Sequence, residues 1–222
     1  MSRTLRFFAS SLMLMAWVTM LPVLSKGGNT IFDDFGAGDT YYCCEGWTAS
    51  GPNSPYGTFW AANEFTSSGD YSVTQIDLGI GYVSGTNSAT VELTTDNGGI
   101  PGTVLGSWGI SGQPSLGAAT DVITTIGGIS GVDISAGDYF LVVLPGASDT
   151  WDALNWNIIG TTGLDEYNQG TGWVQQPGQT LGAFDVLGNA TTPEPSTLLL
   201  LGVGLLSIYG LRRRSGPRSL LS

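Results

Sequence analysis

The amino-acid sequence predicts an all-β fold, an antiparallel β-sandwich or jelly roll, flanked by an apolar segment at each end of the sequence. Two observations support the fold class. About ten short segments rich in β-branched and aromatic residues recur along the chain, with turn residues about every ten positions. Between the two ends, no stretch has the 3.6-residue apolar period of an amphipathic helix. Short strands joined by tight turns favour two packed antiparallel layers.

Local alternation places the individual strands. In 71–82 and 89–95, apolar residues such as Ile76 and Val91 alternate with polar ones, and one slip in the first segment predicts a β-bulge. Asn and Gly residues in 96–99 predict a tight turn, because both tolerate a positive φ. In chain order the predicted strands are 30–35, 58–66, 71–82, 89–95, 104–110, 120–126, 138–144, 154–159, 172–175 and 183–187.

Charge is distributed unevenly along the chain. Among the eighteen acidic residues only Glu194 lies outside residues 27–192, which leaves seventeen acidic residues in that region. The region repels nucleic acid and anionic lipid, because binding them requires Lys and Arg. It attracts cations and forms a soluble, self-repelling surface. All seven basic residues lie in the terminal segments, at Arg3, Arg6, Lys26, Arg212, Arg213, Arg214 and Arg218.

The residue types exclude several kinds of active site. The chain has no histidine, so neither a Ser-His-Asp or Cys-His catalytic set nor a histidine zinc site can form. Residues 27–192 contain no lysine, which excludes a lysine base, a Schiff base and a Walker-type phosphate site there. We assign no catalytic residue and expect no enzymatic activity.

Carboxylates are the chemical group present in quantity. Two close pairs, Asp149 with Asp152 and Asp165 with Glu166, are candidates for the acid and base of a polysaccharide hydrolase. No glycosidase motif surrounds either pair, and surplus acids in turns explain the same residues.

Calcium binding is favoured over hydrolysis as a role for acidic residues in this chain. Asp33, Asp34 and Asp39 lie in one glycine-rich loop and offer the hard oxygen ligands that Ca²⁺ prefers. The spacing of an EF-hand is absent, so these three residues are weak candidates. The default expectation is a protein without a cofactor.

The two cysteines, Cys43 and Cys44, are neighbours in the sequence. An oxidising compartment permits disulfides, but adjacent Cα atoms lie about 3.8 Å apart, below the usual ~4.4–6.8 Å of a bridge. Three interpretations stay open: two unpaired thiols, a disulfide between the two neighbours, or links to another chain. A local bridge or a pair of buried thiols is favoured over a catalytic role.

Aromatic residues are the remaining candidates for binding. Most tryptophans should pack in the core, where large rings bury much surface. Trp151 and Trp156, with Asp149, Asp152 and Asn155 nearby, are the first candidates for a patch that stacks on sugar rings. Core packing is the competing interpretation for these two residues as well. The tryptophans between residues 27 and 192 are Trp47, Trp60, Trp108, Trp151, Trp156 and Trp173.

The N-terminal segment has the pattern of a secretory signal. Arg3 and Arg6 precede an uncharged apolar stretch that ends at Pro22. Residues 1–25 are therefore predicted to be a signal peptide, and residues 27–190 the β-sandwich domain.

The C-terminal segment has three parts. Residues 191–196 form a linker that Pro193-Glu194-Pro195 makes stiff and non-helical. The uncharged run 197–211 predicts a transmembrane helix, although it is short for a bilayer core of about 30 Å. The tail, 212–222, begins with Arg212-Arg213-Arg214, which predicts a cytoplasmic stop whose long side chains snorkel over the missing length.

This order of Pro-Glu-Pro, apolar helix and basic stop resembles the PEP-CTERM sorting signal of Gram-negative bacteria. The resemblance covers residues 193–222. It implies that an exosortase, a membrane-embedded cysteine-type transpeptidase, cleaves near Pro193-Glu194-Pro195 and releases or transfers the upstream domain. The family is associated with envelopes that produce exopolysaccharide. The chain would then reside in the inner membrane before processing and at the cell surface or in the extracellular matrix afterwards.

The domain itself resembles exported β-sandwich domains of the choice-of-anchor type, with the R type nearest. The resemblance spans residues 30–188 and implies a cell-surface or matrix protein, with no activity defined by its motifs. Those motifs are Phe32-Asp33-Asp34-Phe35-Gly36, Thr94-Thr95-Asp96-Asn97-Gly98-Gly99-Ile100-Pro101-Gly102, Ser135-Ala136-Gly137-Asp138-Tyr139-Phe140, Gly172-Trp173 and Ala183-Phe184-Asp185-Val186.

Three functions follow as expectations. The first is an exported, non-enzymatic surface or matrix protein sorted through its C-terminal signal. The alternative is a carbohydrate-binding module for the envelope exopolysaccharide, and the third is a polysaccharide hydrolase. The expected partners are an exosortase, the membrane through the C-terminal helix before processing, and an envelope polysaccharide, but not nucleic acid.

Overall fold

The computed structural model describes residues 28–118 and 121–191, and all regular structure in these ranges is β-strand. The predicted signal peptide 1–25, the Pro193-Glu194-Pro195 motif, the helix 197–211 and the tail 212–222 lie outside the described residues. Within the described ranges there is no helix long and apolar enough to cross a membrane.

Fourteen strands form in this part of the chain. They are β1 (Asn29–Asp33), β2 (Gly46–Ser50), β3 (Trp60–Ser67), β4 (Tyr71–Leu78), β5 (Ile80–Ser84), β6 (Ser88–Asp96), β7 (Pro101–Ser111), β8 (Thr124–Gly127), β9 (Asp133–Ile134), β10 (Gly137–Pro145), β11 (Trp151–Asn155), β12 (Thr162–Asn168), β13 (Trp173–Thr180) and β14 (Phe184–Ala190).

The strands form three sheets in which all named strand pairs are antiparallel. One has the order β1-β14-β4-β8, with β9 also paired to β4. A second has the order β13-β12-β3-β10-β6-β7, and a third, smaller sheet has the order β2-β11-β5. The prediction of an all-β, antiparallel fold is confirmed.

The main core lies between the two larger sheets. Ile76 and Val186 come from the first sheet, Val91 and Leu141 from the second, and all four side chains belong to one buried cluster. Alternation explains this, because every second residue of each strand faces inward. Two layers around one core give a β-sandwich-like architecture.

The predicted strand 71–82 is two strands, β4 and β5, separated at Gly79. A Cβ atom at Gly79 would lie 2.8 Å from Cδ1 of the buried Tyr41 ring, so only glycine fits this close approach. The backbone N–H of Gly79 donates to Ala183, and its carbonyl accepts from Asn155. The chain thereby leaves the first sheet and enters the small one. The irregularity predicted as a bulge lies earlier, in β4, where the pairing with β14 shifts register between Val73 and Gln75.

The second sheet curls until its two ends meet. Gln175 of β13 donates a hydrogen bond of 2.6 Å to the carbonyl of Gly99 in the β6–β7 turn, at the opposite end of the strand order. A second, smaller apolar cluster, which includes Phe140 and Val142, is buried on this side of the sheet.

Candidate functional site

The small sheet carries the two tryptophans that the sequence predicts as a sugar-stacking patch. Trp151 begins β11, and Trp156 follows its last residue. Asp152 and Leu154 are fully buried. Trp151 and Ala153 lie on the opposite face of the strand, as alternation requires. The ring of Tyr56, which is 61% exposed, lies 5.0 Å from the ring of Trp151 and extends the aromatic surface.

Trp151 and Trp156 line one groove with a volume of about 330 Å³. Small side chains lie between them, because Thr48 and Ala153 are directly paired across β2 and β11. Gly46 is also required, since a Cβ atom there would collide with the carbonyl of Leu154. The other residues of the lining are Cys44, Glu45, Val83 and Leu116. Two indoles above a shallow surface of small residues suit a flat ligand such as a sugar ring.

The backbone of Trp156 fixes the position of its indole. Its N–H donates to the carbonyl of Glu45 at 3.1 Å, and its carbonyl accepts from the N–H of Tyr42 at 2.9 Å. The ring meets that of Trp47 edge-on at 5.8 Å, and Trp47 in turn donates from Nε1 to the carbonyl of Thr180. Nε1 of Trp156 is buried without a hydrogen-bond partner among the described residues. Trp156 is therefore held by the backbone and by ring packing.

Cys43 and Cys44 form a disulfide with each other in the turn between Tyr42 and Glu45. Their Cα atoms lie 3.8 Å apart, and Cys44 has a left-handed backbone with φ of 81°. Cys43 is half-buried and Cys44 is exposed in the groove wall. The turn reverses the chain, so the two side chains do not point to opposite faces as they would in a strand.

The three candidate calcium ligands differ in exposure: Asp33 is exposed, Asp34 is buried and Asp39 is half-buried. Asp34 is fully buried, and its Oδ1 accepts from the N–H of Phe184 at 2.9 Å. Burial raises the pKa of Asp34 to about 8, with a smaller contribution from the charges of Asp33 and Asp185. Asp33 accepts from the N–H of Phe35, and Asp39 lies in the following turn with φ of 57°. Among residues 28–118 and 121–191, no three Asp, Glu, Cys or His side chains form a group that could hold a metal ion.

Neither carboxylate pair proposed for hydrolysis faces a common cleft. Asp149 is exposed, whereas Asp152 is buried, and burial raises the pKa of Asp152 to about 7. Asp165 and Glu166 are consecutive residues of β12 and therefore point to opposite faces of the sheet. Burial raises the pKa of Asp165 to about 8 and that of Glu166 to about 7, the latter also through Glu64 and Asp96.

Sequence reasoning named the two indoles but missed most of their neighbours. Tyr56, Glu45 and Leu116 come from loops distant in sequence from β11, and no local pattern marks them as partners. One signal was available, namely the cysteine pair that directly precedes Glu45, Gly46 and Trp47. The remaining tryptophans are placed elsewhere: Trp108 packs against the main core, and Trp60 lies 6.3 Å from Trp173.

Comparison with known proteins bears on the C-terminal segment. Residues 191–214 match the family model described as the PEP-CTERM protein-sorting motif. The chain carries a PEP-CTERM sorting motif. It implies export, with membrane-anchored processing by an exosortase as the sorting partner, in a Gram-negative bacterium. No curated protein and no solved structure matches the chain, so the resemblance of the domain to choice-of-anchor proteins stays a prediction.

Proposed function

We propose that this chain is a non-catalytic cell-surface or extracellular-matrix protein that an exosortase cleaves near Pro193-Glu194-Pro195. One observation carries the proposal: the PEP-CTERM match begins at residue 191, directly after β14 ends at Ala190. The folded domain is thus followed at once by the sorting signal. In this proposal residues 197–211 span the inner membrane until cleavage, and Arg212-Arg213-Arg214 hold the tail on the cytoplasmic side.

Replacement of Pro193, Glu194 and Pro195 by alanine tests this proposal. The variant should still be exported but should accumulate in the inner membrane, because the exosortase no longer recognises it. Mass spectrometry of the wild-type protein from the surface fraction should find a C-terminus near residue 193. A Thr191→Ala Thr192→Ala variant is the matched control and should be processed normally. Surface-released protein that still contains residues 212–222 would contradict the proposal.

A second function, binding of an envelope polysaccharide, is favoured by the groove between Trp151 and Trp156. These are the two residues that the sequence suggests for sugar stacking, and they line a single groove with small residues between them. Indole rings offer large, rigid apolar faces that pack well against the C–H faces of sugar rings. The two members of each candidate pair, Asp149 with Asp152 and Asp165 with Glu166, face different surroundings. Because a hydrolase needs its acid and its base at the same glycosidic bond, this arrangement favours binding without hydrolysis.

Binding can be measured by affinity electrophoresis in gels that contain the exopolysaccharide of the producing bacterium. Trp151→Ala and Trp156→Ala should each abolish the retardation seen with the wild type. Trp173→Ala is the matched control, because it removes a half-buried indole that packs against Trp60, outside the groove. Equal retardation of all four proteins would reject the groove as a glycan site. Release of reducing ends from the same polysaccharide would instead indicate a hydrolase.

A further inference from the structure

A second groove adjoins the one between the tryptophans. It has a volume of about 530 Å³ and is lined by the loop 40–45 and by Ile158. Cys44 and Glu45 line both grooves. Each groove falls within the range of about 300–1,000 Å³ that is typical of small-molecule sites. The turn that contains the Cys43–Cys44 disulfide is therefore the element that the two grooves share.

We infer that the glycan site extends from the tryptophan groove across the Cys43–Cys44 disulfide into the second groove, and that it holds several consecutive residues of an uncharged polysaccharide chain. This inference rests on the glycan-binding function proposed above. It names the length and the charge of the ligand, which that function leaves open.

The two grooves are held in a fixed relation to each other. Tyr42 and Glu45, on either side of the cysteine pair, are both hydrogen-bonded to the backbone of Trp156. The disulfide closes the turn between those two bonds. A rigid surface loses little conformational entropy on binding, so contacts made in the second groove add to those made in the first.

The second groove offers apolar surface. Tyr42 is 49% exposed and Ile158 is 52% exposed. The Cys43–Cys44 disulfide, which lines the same groove, carries no charge. Exposed apolar side chains that lie together mark binding surfaces more often than single ones do. Together with the indoles of Trp151 and Trp156 in the adjoining groove, they offer apolar surface that suits the C–H faces of consecutive sugars.

Charge selects an uncharged chain. Among the described residues, Glu45 is the one acidic or basic residue in the lining of either groove. Residues 27–192 contain no Lys or Arg that could pair with a uronate or a sulfate. A polyanionic chain would meet only like charge, whereas a neutral chain would not be repelled.

The test uses the full chain in detergent and titration calorimetry. The ligands are disaccharide, tetrasaccharide and hexasaccharide fragments of the exopolysaccharide purified from the producing bacterium. A second set consists of the same fragments oxidised to carry uronates. For the wild type, affinity should rise by about tenfold or more from disaccharide to hexasaccharide, and oxidation should weaken binding. Affinity that does not depend on length would overturn the extended site, and unweakened binding of oxidised fragments would overturn the charge selection.

Two variants test the contribution of the second groove to binding separately from that of the first. Tyr42→Ser and Ile158→Ser should keep disaccharide binding and lose most of the gain with length. Both side chains line the second groove and not the first, and both variants keep the disulfide. Ile159→Ser is the matched control, since Ile159 is 57% exposed but lines neither groove. A full gain with length in Ile158→Ser would overturn the extension alone. No binding of any fragment to the folded wild type would reject the glycan function itself.

Discussion

Asn63 and Asp165 form a buried hydrogen bond of 2.6 Å between Nδ2 and Oδ1, and they are direct partners in the pairing of β3 with β12. The same Asn63 side chain accepts a hydrogen bond from the N–H of Gly182, just before β14. One amide therefore joins two strands of the second sheet to the segment that leads into the first. A polar link of this kind stabilises the fold because each buried group has a partner.

Asn63→Ala should lower the free energy of unfolding by about 1–3 kcal/mol, because it leaves the buried Asp165 carboxyl and the Gly182 N–H without their partner. Urea denaturation followed by tryptophan fluorescence measures the change. Asn53→Ala is the control: its amide bonds Ser148 at the surface, so its effect should stay within about 0.5 kcal/mol. Equal effects of the two substitutions would show that the buried link contributes nothing.

Stability should fall as the pH rises from 5 to 8. Burial raises the pKa of Asp152 and Glu166 to about 7 and that of Asp34 and Asp165 to about 8. Because the unfolded values are near 4, the folded protein binds protons more tightly in this range. Their contribution to stability is complete below pH ~4 and is lost as the pH rises through 7 and 8. Melting temperatures in buffers of equal ionic strength measure this, and a rise with pH would contradict it.

Asp152→Asn isolates one of these carboxyls. Both of its oxygens are buried without a hydrogen-bond partner among the described residues, so ionisation is opposed by burial alone. At pH 8 the variant should melt a few degrees above the wild type, since about 1 kcal/mol corresponds to roughly 2–4 °C in a protein of this size. Below pH ~4, where Asp152 is protonated in both the folded and the unfolded state, the two should be nearly equal. Asp149→Asn removes an exposed carboxylate nearby and is the control for the loss of a surface charge.

Substitution by alanine should destabilise the protein to different degrees at two glycines that have similar backbone conformations. Gly85 and Gly178 have φ of 81° and 75°, so each substitution costs about 1–2 kcal/mol from the left-handed backbone. At Gly178 a Cβ atom meets nothing within 4 Å, whereas at Gly85 it would collide with the carbonyl of Asp149. Thermal unfolding should therefore show a much larger loss for Gly85→Ala. Equal losses would mean that the turn before β6 moves freely away from Asp149.

Salt should stabilise the protein at low ionic strength. The seventeen carboxylates between residues 27 and 192 have no Lys or Arg among them, and the Debye length falls from ~30 Å at 0.01 M to ~10 Å at 0.1 M salt. Melting temperature should rise with NaCl over this range. CaCl₂ of equal ionic strength should have the same effect, because no three acidic side chains in the part of the chain that the structure describes form a group that could hold a metal ion. A clearly larger effect of Ca²⁺ would support the calcium site that the sequence suggests, since a ligand bound by the folded state adds its binding free energy.

The strand content and the sorting motif could be predicted from the sequence. Alternation located β4 and β6 to within a few residues, because each has one face in the core and so repeats with period two. The C-terminal motif was equally readable, since its information is local: Pro-Glu-Pro, an apolar run and a basic stop in one order.

Three strands were not predicted from the sequence: β2, β9 and β12. The clearest case is β12, Thr162–Asn168, which lies inside the second sheet although it carries Asp165 and Glu166. Its acids are tolerated there because Asn63 binds one and burial favours the neutral form of both. No local pattern signals this, because the compensating group belongs to another strand.

By itself, then, the sequence determined the all-β class, the charge of the domain, the absence of histidine chemistry and the sorting motif. Tertiary structure alone decided what surrounds Trp151 and Trp156. The pairing of β2 with β11 brings Thr48 opposite Ala153, and backbone bonds from Tyr42 and Glu45 bring the cysteine turn to Trp156. Strand pairing is a contact between segments far apart in sequence, and its partners are chosen by burial across the whole domain rather than by neighbours along the chain.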